Sequence, residues 1–318
     1  MHDVDDPSLP PAGAEDALAL RDGWWPRPPK PSRPGAEAGF RHGVGARAVD
    51  PDAWLLPRPG DGVLLAWKAR LVAAYGNRVV AAMLGTRDAC RETLAAVRAA
   101  PGVDRPDGEP DAPDPAGAVD VIDAAGRMVV DDLCVLDVHS GTPVLVAASL
   151  ATPNRWRLHE KLGRPLLGVH APVPGYAADV GAATDALLTR LPAGRIVART
   201  NWGVLDHPAL FQPVARRAPA FADDAEPATV LGGLWMRVEY QTLRALPASG
   251  AVLFTIRTAQ ERLDHALHRD PARAAALHAA VSELPPAMLD YKGIARHVTP
   301  LLRALSTWTP TTTTTATP

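Results

Sequence analysis

The sequence predicts an α+β protein with a central antiparallel sheet, and three observations lead to that prediction. Residues 234–243 alternate apolar and polar side chains with a period of two, which is typical of a half-buried strand. Residues 251–258 follow a short turn-forming stretch and match an antiparallel partner strand. Helical patterns lie before and after the strands, and this arrangement places the sheet in the middle of the fold.

The remaining elements follow from local patterns. Helices are predicted where apolar residues recur at three- and four-residue steps or where a capping residue precedes an apolar run, at residues 63–72, 87–99, 179–191 and 271–280 and in a segment containing Met288, Tyr291 and Ile294. Further strands are predicted at residues 133–138 and 143–150, which form a hairpin, and at 194–205. Residues 101–115 and 206–229 are predicted to be surface loops.

Composition divides the chain into one folded domain with two tails. Residues 1–39 are rich in proline and are predicted to be disordered, with no packed element before Phe40, although Trp24 and Trp25 can dock onto the body. Residues 40–303 are predicted to form the folded domain. The threonine-rich residues 304–318 are predicted to be disordered.

The charge and hydropathy of the chain exclude several classes of protein. A formal net charge of -2 gives no global positive field for nucleic acid or an anionic membrane, so neither is an expected partner. The chain has no apolar run of transmembrane length, and its acidic, proline-rich start does not resemble a signal peptide. A cytoplasmic location is therefore expected.

The two cysteines give little indication of function. Cys90 and Cys134 are the only cysteines, so the chain can build neither a zinc ribbon nor a cysteine-ligated iron–sulfur cluster. Both are expected to be buried thiols. The chain also has no G-x-S-x-G, G-x-G-x-x-G or Walker-type motif, so the electrons for any redox chemistry are expected to come from another protein.

Residues 152–176 carry the first candidate for a functional group. Asn154 is expected to cap a helix that ends at Gly163, and His170 follows an apolar stretch. Two prolines, Pro172 and Pro174, stiffen the backbone after this histidine. A rigidly held imidazole suits a haem or metal site, and the alternative is a core histidine bonded to a backbone carbonyl.

Other polar groups also have two interpretations. The polar side of strand 234–243 carries Arg237 and Glu239, and it predicts either a pocket, which the neighbouring Trp235 favours, or a solvated sheet face. His265 and His268 are three residues apart, the spacing of some metal ligands, but no third ligand has matching spacing.

Six blocks of sequence, in order between residues 152 and 293, resemble the haem-dependent oxidative N-demethylase family. They are TPNRW, EKLGRPLLGVHAPVPG, RTNWGV, RVEYQTLRALP, GAVLFTIRT and YKG. Phe40-Arg41 and Trp54 fit the family's N-terminal pattern, so the resemblance covers most of residues 40–303.

The resemblance implies a PAS-like antiparallel sheet flanked by helices, with a bound haem b. It implies oxidation of a small methylated amine such as dimethylamine by O2, with release of formaldehyde that can pass to tetrahydrofolate on the same protein. The electrons would come from NADPH through a partner reductase subunit that carries FMN and a 2Fe-2S cluster.

The resemblance also assigns roles to individual residues. It places the axial iron ligand at His170, with His159 as a nearby competitor that is expected to face solvent. The candidate cations for the haem propionates are Arg199, Arg237, Arg257 and Lys161. Glu239, beside Arg237 on the strand, is the candidate catalytic carboxylate for the protonated amine, and its alternative role is a structural ion pair with Arg237 or Arg257.

Two departures from the family pattern bear on the substrate or on a partner surface. Tyr240 stands where the family usually has arginine, and Asp131-Asp132 replaces a common Glu-Asp pair. Two other functions compete with the enzyme: a haem-binding PAS-type sensor or gas-binding module without turnover, which the PAS-like architecture favours, and a scaffold subunit of a larger oxidase without a cofactor of its own.

Overall fold

A seven-stranded antiparallel sheet organises the protein in a computed structural model that describes residues 6–21, 24–26, 43–103 and 115–308. The strands are β1 (Arg47–Ala48), β2 (Val80–Ala82), β3 (Asp132–Asp137), β4 (Val144–Ser149), β5 (Ile196–Leu205), β6 (Trp235–Ala245) and β7 (Val252–Arg262). Their order across the sheet is β1-β5-β6-β7-β3-β4-β2. The predicted α+β class and the two hairpins, β3–β4 and β6–β7, are confirmed. The PAS-like character of the sheet remains a prediction.

Helices of very different lengths pack on the sheet. In the described residues they are α1 (Glu15–Leu18), α2 (Asp61–Tyr75), α3 (Arg87–Arg98), α4 (Ala118–Met128), α5 (Leu158–Lys161), α6 (Leu166–Val169), α7 (Ala182–Thr189), α8 (Pro227–Gly232), α9 (Leu263–Arg269), α10 (Ala272–Ser282), α11 (Pro286–Lys292) and α12 (Val298–Ser306). A π-helical turn, Ala177–Gly181, leads into α7. None of these helices is long and apolar enough to span a membrane.

The register of the central hairpin assigns its side chains to two faces. Glu239 lies opposite Thr258, and Tyr240 lies opposite Arg257. Directly opposed residues of an antiparallel pair project to the same face, and successive residues along a strand alternate between faces. We call the face of Glu239 the site face and the face of Tyr240 the helix face.

The two faces are covered to different extents. On the helix face, one apolar cluster joins the sheet to α2–α4, and a second joins it to α8–α12. On the site face, α5–α7 contribute Leu158, Leu166 and Leu188 to a smaller cluster, which lies over β3, β4 and the start of β7. Part of the site face near β5 and β6 therefore carries half-buried polar side chains.

The expectation that nothing packs before Phe40 is wrong for residues 6–21. Ala14, Ala17 and Leu18 are buried at α1, although a four-residue helix is too short to show a helical period. Trp24 is also buried, and its ring stacks on Tyr240 with centroids 4.9 Å apart and planes 2° from parallel. Docking of Trp24, which the sequence left open, is confirmed. Tertiary contacts, not a local pattern, hold this segment.

Two other local expectations are also wrong. Asn154 caps no helix, because it forms an isolated bridge with Gln212 and the helix begins only at Leu158. Within the predicted surface loop 206–229, residues 209–212 and Asp206 are buried. Both differences have the same cause, because the two segments bond to each other: the backbone N–H of Arg155 donates to the carbonyl of Gln212, and that of Gln212 donates to the carbonyl of Pro153. Phe40-Arg41, most of residues 101–115 and the last ten residues lie outside the described residues.

The prediction of two buried thiols is confirmed. Cys90 lies in α3 and Cys134 in β3, and neither forms a disulfide. Burial raises the pKa of both thiols, that of Cys90 to about 11. Neither thiol is therefore activated as a nucleophile at neutral pH.

Candidate functional site

His170 lies immediately after α6, in a turn that holds its ring in place. Its Nδ1 is 2.9 Å from the carbonyl oxygen of Leu166, and its ring stacks on Tyr176 with centroids 4.2 Å apart. The carbonyl bond places the proton on Nδ1 and therefore the lone pair on Nε2. The bond expected of a core histidine is thus present, but the side chain is half-exposed.

A cavity of about 310 Å³ lies beside this histidine. It is lined by Leu167, His170, Ala171, Val173, Pro174, Gly175, Tyr176, Ala177 and Ala178. Its volume falls at the lower end of the range for small-molecule sites, about 300–1,000 Å³. Lys161 steadies the same segment, because its Nζ donates to the carbonyl of Val169 across 2.5 Å.

Tyr176 connects this segment to the polar part of the sheet. Burial raises the pKa of its phenol, and the neighbouring hydroxyl of Thr184 opposes this shift as a hydrogen-bond partner. Arg199 of β5 is close enough to interact with the phenol electrostatically. The phenol therefore stays protonated at neutral pH and is able to donate a hydrogen bond.

Glu239 is surrounded by donors of the protein itself. Its Oε1 is 3.3 Å from Nε of Arg237, and its Oε2 accepts from the amides of Asn201 at 3.3 Å and Gln241 at 3.1 Å. This arrangement contains the structural ion pair with Arg237 that was the alternative role of Glu239. The polar row of β6 is therefore not a solvated face, since Arg237 is 1% exposed and Glu239 is 9% exposed.

Arg237 serves mainly as an anchor for neighbouring loops. Besides Glu239, its guanidinium donates to the carbonyl oxygens of Thr152 and Leu210 and to the hydroxyl of Thr258. These acceptors satisfy a buried charge that would otherwise be costly. The structure does not direct this arginine toward the cavity at His170.

Arg257 is not brought together with His170, contrary to its expected role at the cofactor. It lies on the helix face, pairs with Asp61, and has Nη1 3.7 Å from Asp131. The departure at Tyr240 also lies on that face, against Trp24. Asp132 is buried and accepts hydrogen bonds from the backbone of Ala151 and from Thr152. Asp132 lies opposite Ile256 on the site face, but the residue of the pair that differs from the family's glutamate is Asp131, which is beside Arg257. The two departures, Tyr240 and Asp131, thus both lie beside residues of the helix face.

The expected competitor His159 is exposed, in agreement with its predicted position. His265 and His268 are also exposed, and Nδ1 of His268 lies 2.7 Å from the carbonyl oxygen of Asp264. Of the four histidines named from the sequence, His170 is the one that the structure places beside a cavity.

Lys292 at the end of α11 was missed as a site residue. Its Nζ donates to the carbonyl of Trp202 across 2.6 Å and lies 4.6 Å from the centroid of that indole. Burial lowers the pKa of Lys292 to about 8, and the positive charge of Arg199 acts in the same direction while Glu239 opposes it. The block YKG, residues 291–293, was the signal that could have identified it.

A buried network holds Lys292 in place. Arg155, in the αL region at a φ of +64°, donates from Nη1 to the backbone carbonyl of Lys292 across 2.8 Å. Its Nη2 lies 3.8 Å from Asp206, whose other oxygen is 3.2 Å from Nε2 of the buried His297. The blocks TPNRW and YKG therefore meet through Arg155.

The fold is that of an α+β protein, and its candidate cofactor site is the cavity beside one fixed histidine. Two groups here are of the kinds that a haem uses: an imidazole with its lone pair on Nε2 for the iron, and the half-buried guanidinium of Arg199, near Tyr176, for a propionate. Residues 108–302, more than half of the chain, match the family described as haem-dependent oxidative N-demethylase, alpha subunit-like. The chain belongs to this family, and the resemblance found in the sequence is confirmed.

Proposed function

We propose that this protein is the haem-binding subunit of an enzyme that oxidatively removes a methyl group from a small amine. The observation that carries the proposal is the position of His170, which lies beside a 310 Å³ cavity within the segment that matches the family. Dimethylamine is the model substrate that the sequence resemblance suggests.

His170 would hold the iron through Nε2, since Nδ1 is bonded to the carbonyl of Leu166. That carbonyl fixes the orientation of the ring and increases its basicity, as such partners do for metal-bound histidines. Tyr176, packed along the imidazole, would restrict its rotation. When bound, the haem would supply the activation of O2, as haem does in oxygenases.

The overall reaction balances with two external electrons. One oxygen atom enters a C–H bond of the N-methyl group, and the other leaves as water with two protons. The resulting carbinolamine then breaks at its C–N bond to give the amine and formaldehyde. We propose that the electrons come from NADPH through a reductase subunit with FMN and a 2Fe-2S cluster, in the cytoplasm, and that tetrahydrofolate accepts the formaldehyde.

For Glu239 we propose the ion-pair role with Arg237 in place of direct binding of the amine. Arg237 already neutralises its charge, and Asn201 and Gln241 occupy its other oxygen. A protonated amine would have to displace these donors from a carboxylate that they hold in a fixed geometry. Such exchanges leave a buried guanidinium unpaired, which is costly.

The visible absorption spectrum tests the haem proposal. The parent, His170→Ala and His159→Ala would be purified from cells supplied with haem. We expect an intense Soret band in the parent and in the exposed control His159→Ala, and a shifted or absent band in His170→Ala. An unchanged spectrum of His170→Ala would exclude it as the iron ligand, and a colourless parent would favour the scaffold function.

Turnover separates the enzyme from a sensor or gas-binding module. We expect the haem-loaded protein, supplied with a surrogate electron donor and O2, to release formaldehyde in proportion to the amine consumed. A protein that binds haem and O2 but releases no formaldehyde with any methylated amine would have the sensor function instead.

A further inference from the structure

We propose that an electron-donating partner protein with an acidic docking face binds at the β2 edge of the sheet, on the surface formed by residues 83–91 and 157–169. We call this surface the edge surface. The inference rests on the proposed function, which requires that electrons reach the haem from another protein. It goes beyond that function by naming where the partner binds and what kind of surface the partner presents.

Two segments lie side by side along β4 and make the edge surface continuous. The backbone N–H of Met83 donates to the carbonyl of Val146, and that of Gly163 donates to the carbonyl of Leu145. A Cβ at Gly163 would lie 3.4 Å from Sδ of Met83. The end of β2 and the segment between α5 and α6 are therefore direct neighbours, although they are far apart in the chain.

The centre of the edge surface is apolar and exposed. Leu84 is 103% exposed, and Met83 and Leu167 are 40% and 51% exposed. These are three of the seven large apolar side chains that are exposed in the described residues. The turn that presents Leu84 is held by Oγ1 of Thr86, which donates to the carbonyl of Met83 across 2.8 Å. Grouped exposed apolar side chains mark interaction sites, whereas isolated ones are common on any surface.

Positive charges surround this apolar centre. The two segments carry five basic and two acidic side chains, although the chain as a whole has a net charge of -2. The basic residues are Arg87, Arg91, Arg157, Lys161 and Arg164, and the acidic ones are Asp88 and Glu160. The next carboxylate, Glu92, is engaged at the β6–β7 turn, where it accepts from the backbone of Ala248 and Ser249. The edge surface therefore attracts an acidic partner face and repels a basic one.

Arg164 lies where the apolar centre meets the positive charges. It follows Gly163, the neighbour of Met83, and its side chain is exposed. Burial lowers the pKa of Lys161, and the positive charge of Arg164 acts in the same direction while Glu160 opposes it. Arg164 is thus the residue at which a carboxylate of the partner gains most from a charge beside apolar contacts.

The edge surface adjoins the proposed haem site. Leu167 belongs both to this surface and to the lining of the 310 Å³ cavity, and α6 ends next to His170. Nζ of Lys161 joins α5 to the same segment by donating to the carbonyl of Val169. Because the rate of electron transfer falls steeply with the distance between donor and acceptor, a partner on this surface is well placed to reduce an iron held by His170.

A second copy of the chain fits the edge surface less well than an acidic partner. Two identical surfaces related by a two-fold axis would bring the same groups together. The positive charges around each apolar centre would then face one another, and like charges across an interface are costly. The charge of the surface therefore favours a different protein with the opposite charge.

The test measures electron delivery to the haem-loaded protein. The probe is an acidic NADPH-dependent reductase that contains FMN and a 2Fe-2S cluster, and the readout is the shift of the Soret band on reduction under carbon monoxide. At low reductase concentration we expect the rate of reduction to fall about tenfold in Leu84→Ser and in Arg164→Glu. The rate in the parent should also fall as the salt concentration rises, because salt screens the attraction between the two surfaces.

Controls separate docking from damage to the haem site. Dithionite is a small reductant that needs no docking surface, so it should reduce the parent and all variants at equal rates. Val214→Ser removes an apolar side chain that is 53% exposed but lies outside the edge surface, and Arg296→Glu reverses an exposed charge before α12. The reductase should reduce both control variants as fast as the parent. Arg164→Lys keeps the charge and should retain most of the parent rate.

The outcomes distinguish this proposal from the proposed function. Equal reductase-driven rates in the parent, Leu84→Ser and Arg164→Glu would refute the edge surface while the haem proposal stands. Failure of the reductase to reduce a parent that dithionite reduces would refute it too. A parent dimer that Leu84→Ser converts to monomers in sedimentation velocity would assign the surface to a second copy instead.

A parent without a Soret complex would overturn the proposed function but would still leave docking measurable. Binding of the fluorescently labelled reductase to the haem-free chain then decides. Binding that weakens about tenfold in Leu84→Ser and Arg164→Glu would support the edge surface. Absence of binding, or equal binding to the parent and both variants, would refute it.

Discussion

Nη1 of Arg155 donates to the backbone carbonyl of Lys292 across 2.8 Å, and the guanidinium occupies the space where the next residue, Gly293, lacks a side chain. A Cβ at position 293 would lie 1.8 Å from that nitrogen. The residue also ends α11 at a φ of +70°. One arginine thus fixes both the end of a helix and the lysine that precedes it.

Gly293→Ala is expected to destabilise the protein by more than the cost of placing an alanine in the αL conformation. The αL conformation costs an alanine about 1–2 kcal/mol, and the clash with Arg155 adds to this cost. Chemical denaturation of the variant would be compared with that of Gly141→Ala, which has a φ of +79° but no atom within 4 Å of the added Cβ. Equal losses of unfolding free energy would contradict the close packing of Arg155.

Asp206→Asn is expected to lower stability in a pH-dependent way. Burial raises the pKa of Asp206, but the hydrogen bond to His297 and the charge of Arg155 outweigh it and hold the pKa below the ordinary 3.8. The carboxylate therefore stabilises the fold above that value, and this contribution is lost as the pH falls through its lower folded-state pKa. We expect the free energy of unfolding of Asp206→Asn to be about 2 kcal/mol below that of the parent at pH 7, and the difference to narrow below about pH 4.

Urea denaturation at several pH values would measure this deficit. Asp123→Asn, which removes a surface pair with Arg127 at 2.7 Å, is the matched control and should cost less than about 1 kcal/mol. If the loss of unfolding free energy in Asp206→Asn did not vary with pH, the negative charge of Asp206 would not be the source of its stabilising effect.

Glu239→Gln is expected to reduce the stability of the protein without weakening its binding of the amine. The substitution leaves the guanidinium of Arg237, which is 1% exposed, without its counterion, at a cost of about 1–3 kcal/mol. KM for the amine should change less than about threefold, well below the tenfold that 1.4 kcal/mol of lost binding would give. Glu261→Gln, which removes a more exposed pair with Arg269, is the control. A tenfold or larger rise in KM would assign amine binding to Glu239.

Trp24→Ala is expected to release the N-terminal segment from the sheet. The indole is buried between Tyr240 and the guanidinium of Arg58, which lies 4.3 Å from its centroid. Loss of a buried tryptophan costs about 3–5 kcal/mol. Proteolysis within residues 6–21 should accelerate strongly in Trp24→Ala, and much less in Trp25→Ala, whose half-buried ring donates one hydrogen bond to Arg273. Similar cleavage in both variants would contradict the stacked arrangement.

The strands were predictable because their signals are local. The alternation in β6 and the apolar runs of β3 and β4 each follow from burial of one or both sheet faces, so the pattern specifies the element. The packing of residues 6–21 and the burial of residues 209–212 depend on partners far away in the chain. Local patterns contain no information about such contacts.

The candidate site was predictable in part. The position of His170 between an apolar stretch and two prolines indicated a rigid imidazole, and the structure adds Tyr176 and the cavity. The face of Arg257 could not be known before the register of β6 and β7 was known. Lys292 was missed because a single lysine at a helix end is usually solvated, and only its contact with Trp202 distinguishes it.

Because its side chains alternate between two faces, β6 contributes to two separate parts of the molecule. Tyr240 receives the N-terminal segment on one side, while its neighbours Glu239 and Gln241 face the candidate site on the other. A slip of one residue in the pairing of β6 would exchange these sets. The attachment of the N-terminus and the polarity of the site are consequently encoded in the same ten or so residues, so an insertion or deletion that changes one must also change the other.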